Sequence, residues 1–103
     1  MIREEDLEEA SRLFKALSNP ARLRIIRILS DTKRPLHIKA VSRELKLDYA
    51  TVYRHIETLR KAKVIEVYEV GRSRVLSISK PRELKGLLES VKSFYKLGEE
   101  KAS

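Results

Sequence analysis

The sequence predicts a mainly α fold with a small β-hairpin, an α+β arrangement in which helices dominate. Three observations lead there. Residues 38–45 and 49–63 read as two helices separated by the break Lys46-Leu47-Asp48. Residues 64–70 and 74–79 read as two strands joined through Gly71-Arg72-Ser73. Helices with apolar stripes flank this unit at both ends of the chain. Helix, tight turn, helix and basic hairpin, in that order, is the signature of a winged helix-turn-helix.

The first helix is expected over residues 4–17. Leu7, Ala10, Phe14 and Leu17 recur there at helical spacing and give one apolar face. Its acidic first turn complements the helix dipole. Asn19-Pro20 ends it and starts the next, because proline suits the first turn of a helix. The second helix, about residues 21–30, turns Leu23, Ile26 and Leu29 inward, with Ile25 and Ile28 nearby. So much apolar content suggests a central helix, edged by Arg22, Arg24 and Arg27.

Residues 32–35 form a loop, after which Leu36 and Ile38 are placed to pair briefly with the hairpin. The third helix, 38–45, is short, with Val41 and Leu45 inward. Asp48 suits the cap of the fourth helix, since its carboxylate can accept from amides of the first turn. Val52, Ile56 and Leu59 fall on one side of that helix and must be its core face. The opposite side presents Tyr49, Ala50, Tyr53, Arg54 and Glu57. Residues 64–79 make the wing. Pro81 marks entry to a last helix over 82–97, with the wide stripe Leu84, Leu87, Leu88, Val91, Phe94 and Tyr95.

A chain of 103 residues, with no linker, repeat or low-complexity tract, reads as one domain over 1–103. A core of this size often gains burial from a partner subunit. The apolar stripes of helices 4–17 and 82–97 are best covered by a second copy, so a homodimer is expected. Leu7, Phe14, Leu84, Leu88, Val91 and Tyr95 are the interface candidates.

The formal net charge is +8, from 23 Lys and Arg against 15 Asp and Glu, which favours polyanionic partners. Positive charge concentrates before and within the helix-turn-helix, while Glu4, Glu5, Asp6, Glu8 and Glu9 make the N-terminal tip acidic. The absence of cysteine excludes disulfides, thiolate metal sites and thiol catalysis. Two histidines without a carboxylate cluster make no metal site, and His55 reads as a packed residue at the core edge. No nucleophile motif, phosphate loop or HExxH is present, so neither an enzyme nor a cofactor is expected. No apolar run approaches the length of a membrane span, and no signal-peptide pattern opens the chain; a cytoplasmic location is expected.

A helix fits the major groove of duplex DNA, and side chains near its N-terminus reach base edges. Tyr49, Ala50, Tyr53 and Arg54 are placed for this, with Thr51 near a phosphate. Arg54 suits guanine or a phosphate; the tyrosines suit phosphates or thymine methyls. The plain alternative is a solvated face with two tyrosines. At the wing tip, Arg72, Ser73 and Arg74 suit the minor groove or backbone, although any hairpin tip can carry charge for solubility. Arg60, Lys61 and Lys63 suit either phosphates or the helix dipole.

Three segments together resemble the ArsR/SmtB family of dimeric winged-helix transcriptional repressors. They are Leu13 to Leu29, which contains the stretch ALSNPARLRII, Leu47 to Leu59, and the wing around Val70-Gly71-Arg72. The likeness covers roughly residues 5–95, and the ALSNPARLRII stretch is its most specific part. It implies four helices, a two-stranded wing and a fifth helix, with dimerisation through the first and last helices. It also implies that Tyr49, Ala50, Tyr53 and Arg54 occupy base-contacting positions. Many relatives carry serine or glutamine there, so the tyrosines imply a different operator. Metal-sensing relatives use cysteines on the third helix or Asp and His on the last; both are absent here, so metal sensing is not carried over.

The leading expectation is a homodimeric, sequence-specific regulator of transcription, a repressor by resemblance, acting on double-stranded DNA. The alternatives are an architectural DNA-coating protein with little base readout, and an RNA- or protein-interaction module. The residues name no effector.

Overall fold

The computed structural model describes residues 1–102, with side chains through Tyr95. The elements run α1 (Glu4–Leu17), α2 (Pro20–Thr32), β1 (Leu36–His37), α3 (Ile38–Leu45), α4 (Tyr49–Lys61), β2 (Ile65–Val70), β3 (Ser73–Ile78) and α5 (Pro81–Ala102). This is a winged helix-turn-helix, mainly helical with a small antiparallel sheet.

Local chemistry sets most boundaries. The Asp6 carboxylate accepts from the Arg3 amide at 2.9 Å and secures the start of α1. Asn19 Oδ1 accepts from the amides of Ala21 at 2.8 Å and Arg22 at 3.2 Å, and Pro20 opens α2 behind that cap. Both α2 and α3 stop at a lysine in the left-handed region, Lys33 and Lys46, each with φ 57°. A third, Lys63 at φ 62°, turns the chain from α4 into β2. That turn ends α4 at Lys61, two residues short of the expected limit.

The sheet has three strands in the order β1-β3-β2, all antiparallel. Leu36 and His37 pair with Leu76 and Val75. Ile38, expected in that pairing, instead begins α3 and is buried. Val70 pairs with Ser73, so the wing turn is Gly71-Arg72, and Ser73 belongs to β3. Gly71 has φ +62°, where a side chain would be strained, which is why glycine stands at this turn. Alternation in the strands turns Leu36, Ile65, Val67, Leu76 and Ile78 toward the core, and Arg74 shares their parity.

The core sits where α4 meets α2, α3 and the sheet. Val52, Ile56 and Leu59 are wholly buried on one face of α4, as their spacing predicts. On α2, Ile26 and Leu29 are buried as expected, but Ile25, 0% exposed, takes the inward place expected for Leu23, which is 38% exposed. In α1 the inward residues are Leu13, Ala16 and Leu17, while Leu7 and Phe14 point outward. Burying a stripe that includes Ile25 and Leu13 satisfies this protomer's core and leaves Leu23, Leu7 and Phe14 uncovered.

Helix α5 is divided along its length. Its first turns pack Leu84, Leu87 and Leu88 on the core; Leu84 is 8% exposed and enters the cluster outright. Leu84, one of the interface candidates, is thus already covered within the protomer. Val91, Phe94 and Tyr95 extend past the core and remain exposed.

Candidate DNA-reading surface

The exposed face of α4 begins at its cap. Asp48 accepts from the Thr51 amide at 3.2 Å and from the Thr51 hydroxyl at 2.5 Å. These two bonds hold the Asp48 carboxyl below the usual carboxylate range, the hydroxyl contributing most. Thr51 Oγ1 also accepts from Arg54 Nη2 at 3.4 Å. Thr51, expected near a phosphate, thus has an internal role: it links the cap to Arg54. Arg54 keeps its remaining donors in solvent. Ala50, between them, is exposed and leaves room beside the helix start.

Tyr49 and Tyr53, one helical turn apart, lie with ring centroids 6.3 Å apart and planes inclined by 19°. Tyr49 is 43% exposed, whereas Tyr53 is half-buried and leans on the core. The Arg74 guanidinium lies 5.1 Å above the Tyr53 ring, within reach of a cation–π contact. The inward parity of Arg74 on β3 explains the contact, because it carries the side chain toward α4. Two sites that the sequence separates, the α4 face and the wing, are therefore one continuous surface. Arg72 is exposed at the wing tip, and among the described residues it enters no ion pair. Ser73 is half-buried at the start of β3.

Arg60 is committed elsewhere. Its Nε and Nη2 donate to the two Glu57 carboxylate oxygens at 2.9 Å each, a bidentate pair on the surface of α4. Arg60 holds the Glu57 carboxyl below its usual range.

A family model described as a helix-turn-helix domain matches residues 17–68, half of the chain. An HTH-type transcriptional regulator of Methanocaldococcus jannaschii is 34% identical over 85 residues, covering 82% of this chain and 87% of that protein. The chain belongs to the helix-turn-helix domain family. A second HTH-type regulator of the same organism is 31% identical over 67 residues, 65% of this chain and 74% of that one. Among solved structures, the helix-turn-helix domain superposes on a homodimeric winged helix-turn-helix DNA-binding domain from Mycobacterium bovis, a possible ArsR-family regulator. The TM-score is 0.75 at 20% identity, with 87% of this chain and 85% of that one covered. HlyU from Vibrio cholerae gives 0.75 at 25% identity, with 90% and 98% covered. The fold is thus that of ArsR-family winged-helix regulators, in accord with the resemblance carried by ALSNPARLRII. Family and fold are those of DNA-binding transcriptional regulators and not of enzymes.

This helix-turn-helix domain also holds one cluster that sequence reasoning missed. Arg22, at the start of α2, donates through Nε to the Ala16 carbonyl at 2.6 Å and through Nη2 to the Lys15 carbonyl at 3.3 Å. Its Nη1 lies 3.2 Å from His55 Nδ1. A guanidinium has no lone pair to offer, so His55 Nδ1 is the acceptor and the imidazole is neutral. Burial, then Arg22, then Arg54 push the His55 pKa below its usual value. One side chain thereby ties the end of α1 to the middle of α4. The stretch Asn19-Pro20-Ala21-Arg22 fixes that arginine one turn past the α1 terminus, but nothing in it names a histidine 33 residues away. Among the described residues no group of three metal-ligating side chains comes together, and no helix is long and apolar enough to cross a membrane.

Proposed function

We propose that this chain is a sequence-specific, homodimeric regulator of transcription that binds double-stranded DNA, acts as a repressor, and works as a single domain in the cytoplasm. The observation that carries the reading is the continuous surface from Tyr49, Ala50 and Arg54 through Tyr53 to Arg74 and Arg72. It joins a helix start to a basic hairpin tip on one side of the molecule. In this reading α4 enters the major groove, with Tyr49, Ala50, Tyr53 and Arg54 at base edges. The wing tip, Arg72 above all, follows the flanking backbone or minor groove. The net charge of +8 supplies the sequence-independent attraction.

Dimerisation uses the outward faces of α1 and α5: Leu7, Phe14, Val91, Phe94 and Tyr95, with Leu88 at the margin. A second copy both covers these apolar residues and places a second α4 on the duplex. The homodimeric state of the M. bovis domain supports this assembly.

Selection of preferred duplexes from a random-sequence pool, followed by footprinting and sedimentation, tests the proposal. A preferred duplex with two related half-sites, protected by a dimer, is expected. Equal binding to selected and random duplexes at physiological salt would instead mark an architectural, DNA-coating protein. Retained dimerisation with no duplex binding would mark an RNA- or protein-interaction module. Placing the preferred duplex ahead of a reporter promoter tests repression by the direction of the change.

A further inference from the structure

The two wing arginines stand two residues apart and have different surroundings. Arg72 extends from the turn with its donors in solvent. Arg74 lies over the Tyr53 ring, 5.1 Å from its centroid, and Tyr53 in turn stacks against Tyr49. A guanidinium drawn over a ring by a cation–π contact is tethered there, and moving out to a phosphate would weaken that contact. It is a good brace for the ring beneath it. Tyr53 is also partly buried against the core, so its ring is held by more than Arg74.

A gripped tyrosine with a second ring stacked on it presents a small apolar step at the start of α4. The largest apolar group that a base edge offers in the major groove is the 5-methyl group of thymine. The other base edges offer hydrogen-bond donors and acceptors, which an aromatic step leaves unsatisfied on desolvation. We propose that the Tyr49–Tyr53 pair selects thymine through its 5-methyl group, and that Arg74 is the positioning residue that holds the pair for this contact. The inference rests on the reading of the chain as a sequence-specific duplex binder and names the base feature that it selects.

The test uses the full chain and a duplex selected from a random pool, with a random-sequence duplex of equal length as reference. Each thymine in the selected duplex is replaced in turn by deoxyuridine, which removes the methyl alone. At one thymine per half-site, affinity should fall about fourfold, the worth of one buried methyl. Tyr49→Ser should abolish that thymine-over-uracil difference. Arg74→Ala should lower the ratio of selected to random affinity while changing the salt slope far less than Arg72→Ala does. Arg74→Lys keeps the charge but lacks the planar guanidinium, so the ratio of selected to random affinity should still fall. In the free protein, ring-current shifts on the Arg74 side chain should disappear in Tyr53→Leu, which reports the brace independently of DNA.

Uracil tolerated at every thymine, with preference for the selected duplex intact, would overturn this inference alone. So would Arg74→Ala and Arg72→Ala behaving alike on both duplexes. A wild-type chain that binds the two duplexes equally would overturn the underlying reading instead.

Discussion

Arg72 makes the simplest prediction at the scale of single residues. A free arginine that neutralises one phosphate contributes about one unit to the salt dependence of binding. Arg72→Ala should therefore weaken selected and random duplexes to similar degrees and lower the slope by about that amount. Isotherms at several salt concentrations decide it. An unchanged slope would mean that the wing tip stays off the backbone. His55 makes a second prediction. Its pKa is lower in the folded chain than in the unfolded chain, so the unfolded state binds the proton first as pH falls. The His55 contribution is complete above about pH 6.5 and is lost as pH drops toward the folded value. His55→Gln keeps an acceptor for Arg22 but cannot titrate. Its melting temperature should fall less than that of the wild type between pH 7.5 and 5.5. Parallel curves would show that the Arg22–His55 contact does not sense protons. Legibility also divides at this scale. Asp48 as a cap and Tyr49 and Arg54 on one face follow from spacing along one helix. The contact of Arg74 with Tyr53 needs the twist and register of β3, and that of Arg22 with His55 needs two helices to cross. Neither can be read from a one-dimensional pattern.

The elements themselves were largely written in the sequence because each boundary has a local cause. α1 and α3 have the expected limits, and Asn19-Pro20 and Asp48 start α2 and α4 through hydrogen bonds made within three residues. The misses have local causes too. α2 runs on to Thr32 and α4 stops at Lys61 because lysines adopt left-handed conformations that a sequence pattern assigns to glycine. On α2, Ile26 and Leu29 face inward as expected, but Ile25 replaces Leu23 beside them, because Leu23, Ile25, Ile26, Ile28 and Leu29 offer two competing stripes and only packing chooses. The Asp48 cap carries its own prediction. Asp48→Ala removes the acceptor of the Thr51 amide and hydroxyl, and should cost about 1 kcal/mol in denaturant unfolding. It should also release Thr51, and with it the orientation of Arg54, so affinity for the selected duplex should fall more than for the random one. Asp48→Asn retains a cap and should restore most of the stability. Failure of that rescue would place the loss somewhere other than in the helix start.

For the whole molecule, the protomer leaves apolar surface that its own core does not claim. Phe94 is 83% exposed and Tyr95 is 70% exposed on α5, and Phe14 is 55% exposed on α1. Val91→Glu with Phe94→Glu should dissociate the proposed dimer and leave the monomer folded, because neither residue belongs to the core cluster. Leu88 is a worse choice, since it packs partly on that cluster and its loss would confound assembly with folding. Sedimentation and circular dichroism on the double variant separate the two. A wild-type monomer at micromolar concentration would remove the dimer.

The three left-handed lysines have a consequence at this scale as well. Lys33, Lys46 and Lys63 occupy backbone wells where glycine costs less, so three chain reversals are each less comfortable than chemistry permits. What the chain keeps in exchange is charge. Replacing all three with glycine should hold or raise the melting temperature, yet it cuts the net charge from +8 to +5. Affinity for any polyanion should fall, most steeply at low salt, where counterion release matters most. A triple variant that gained heat resistance and lost nothing on heparin or random DNA would show that those charges serve another end. Otherwise these reversals are points where a tougher protein and a better binder are alternatives, and selection for thermal endurance alone should erode them first.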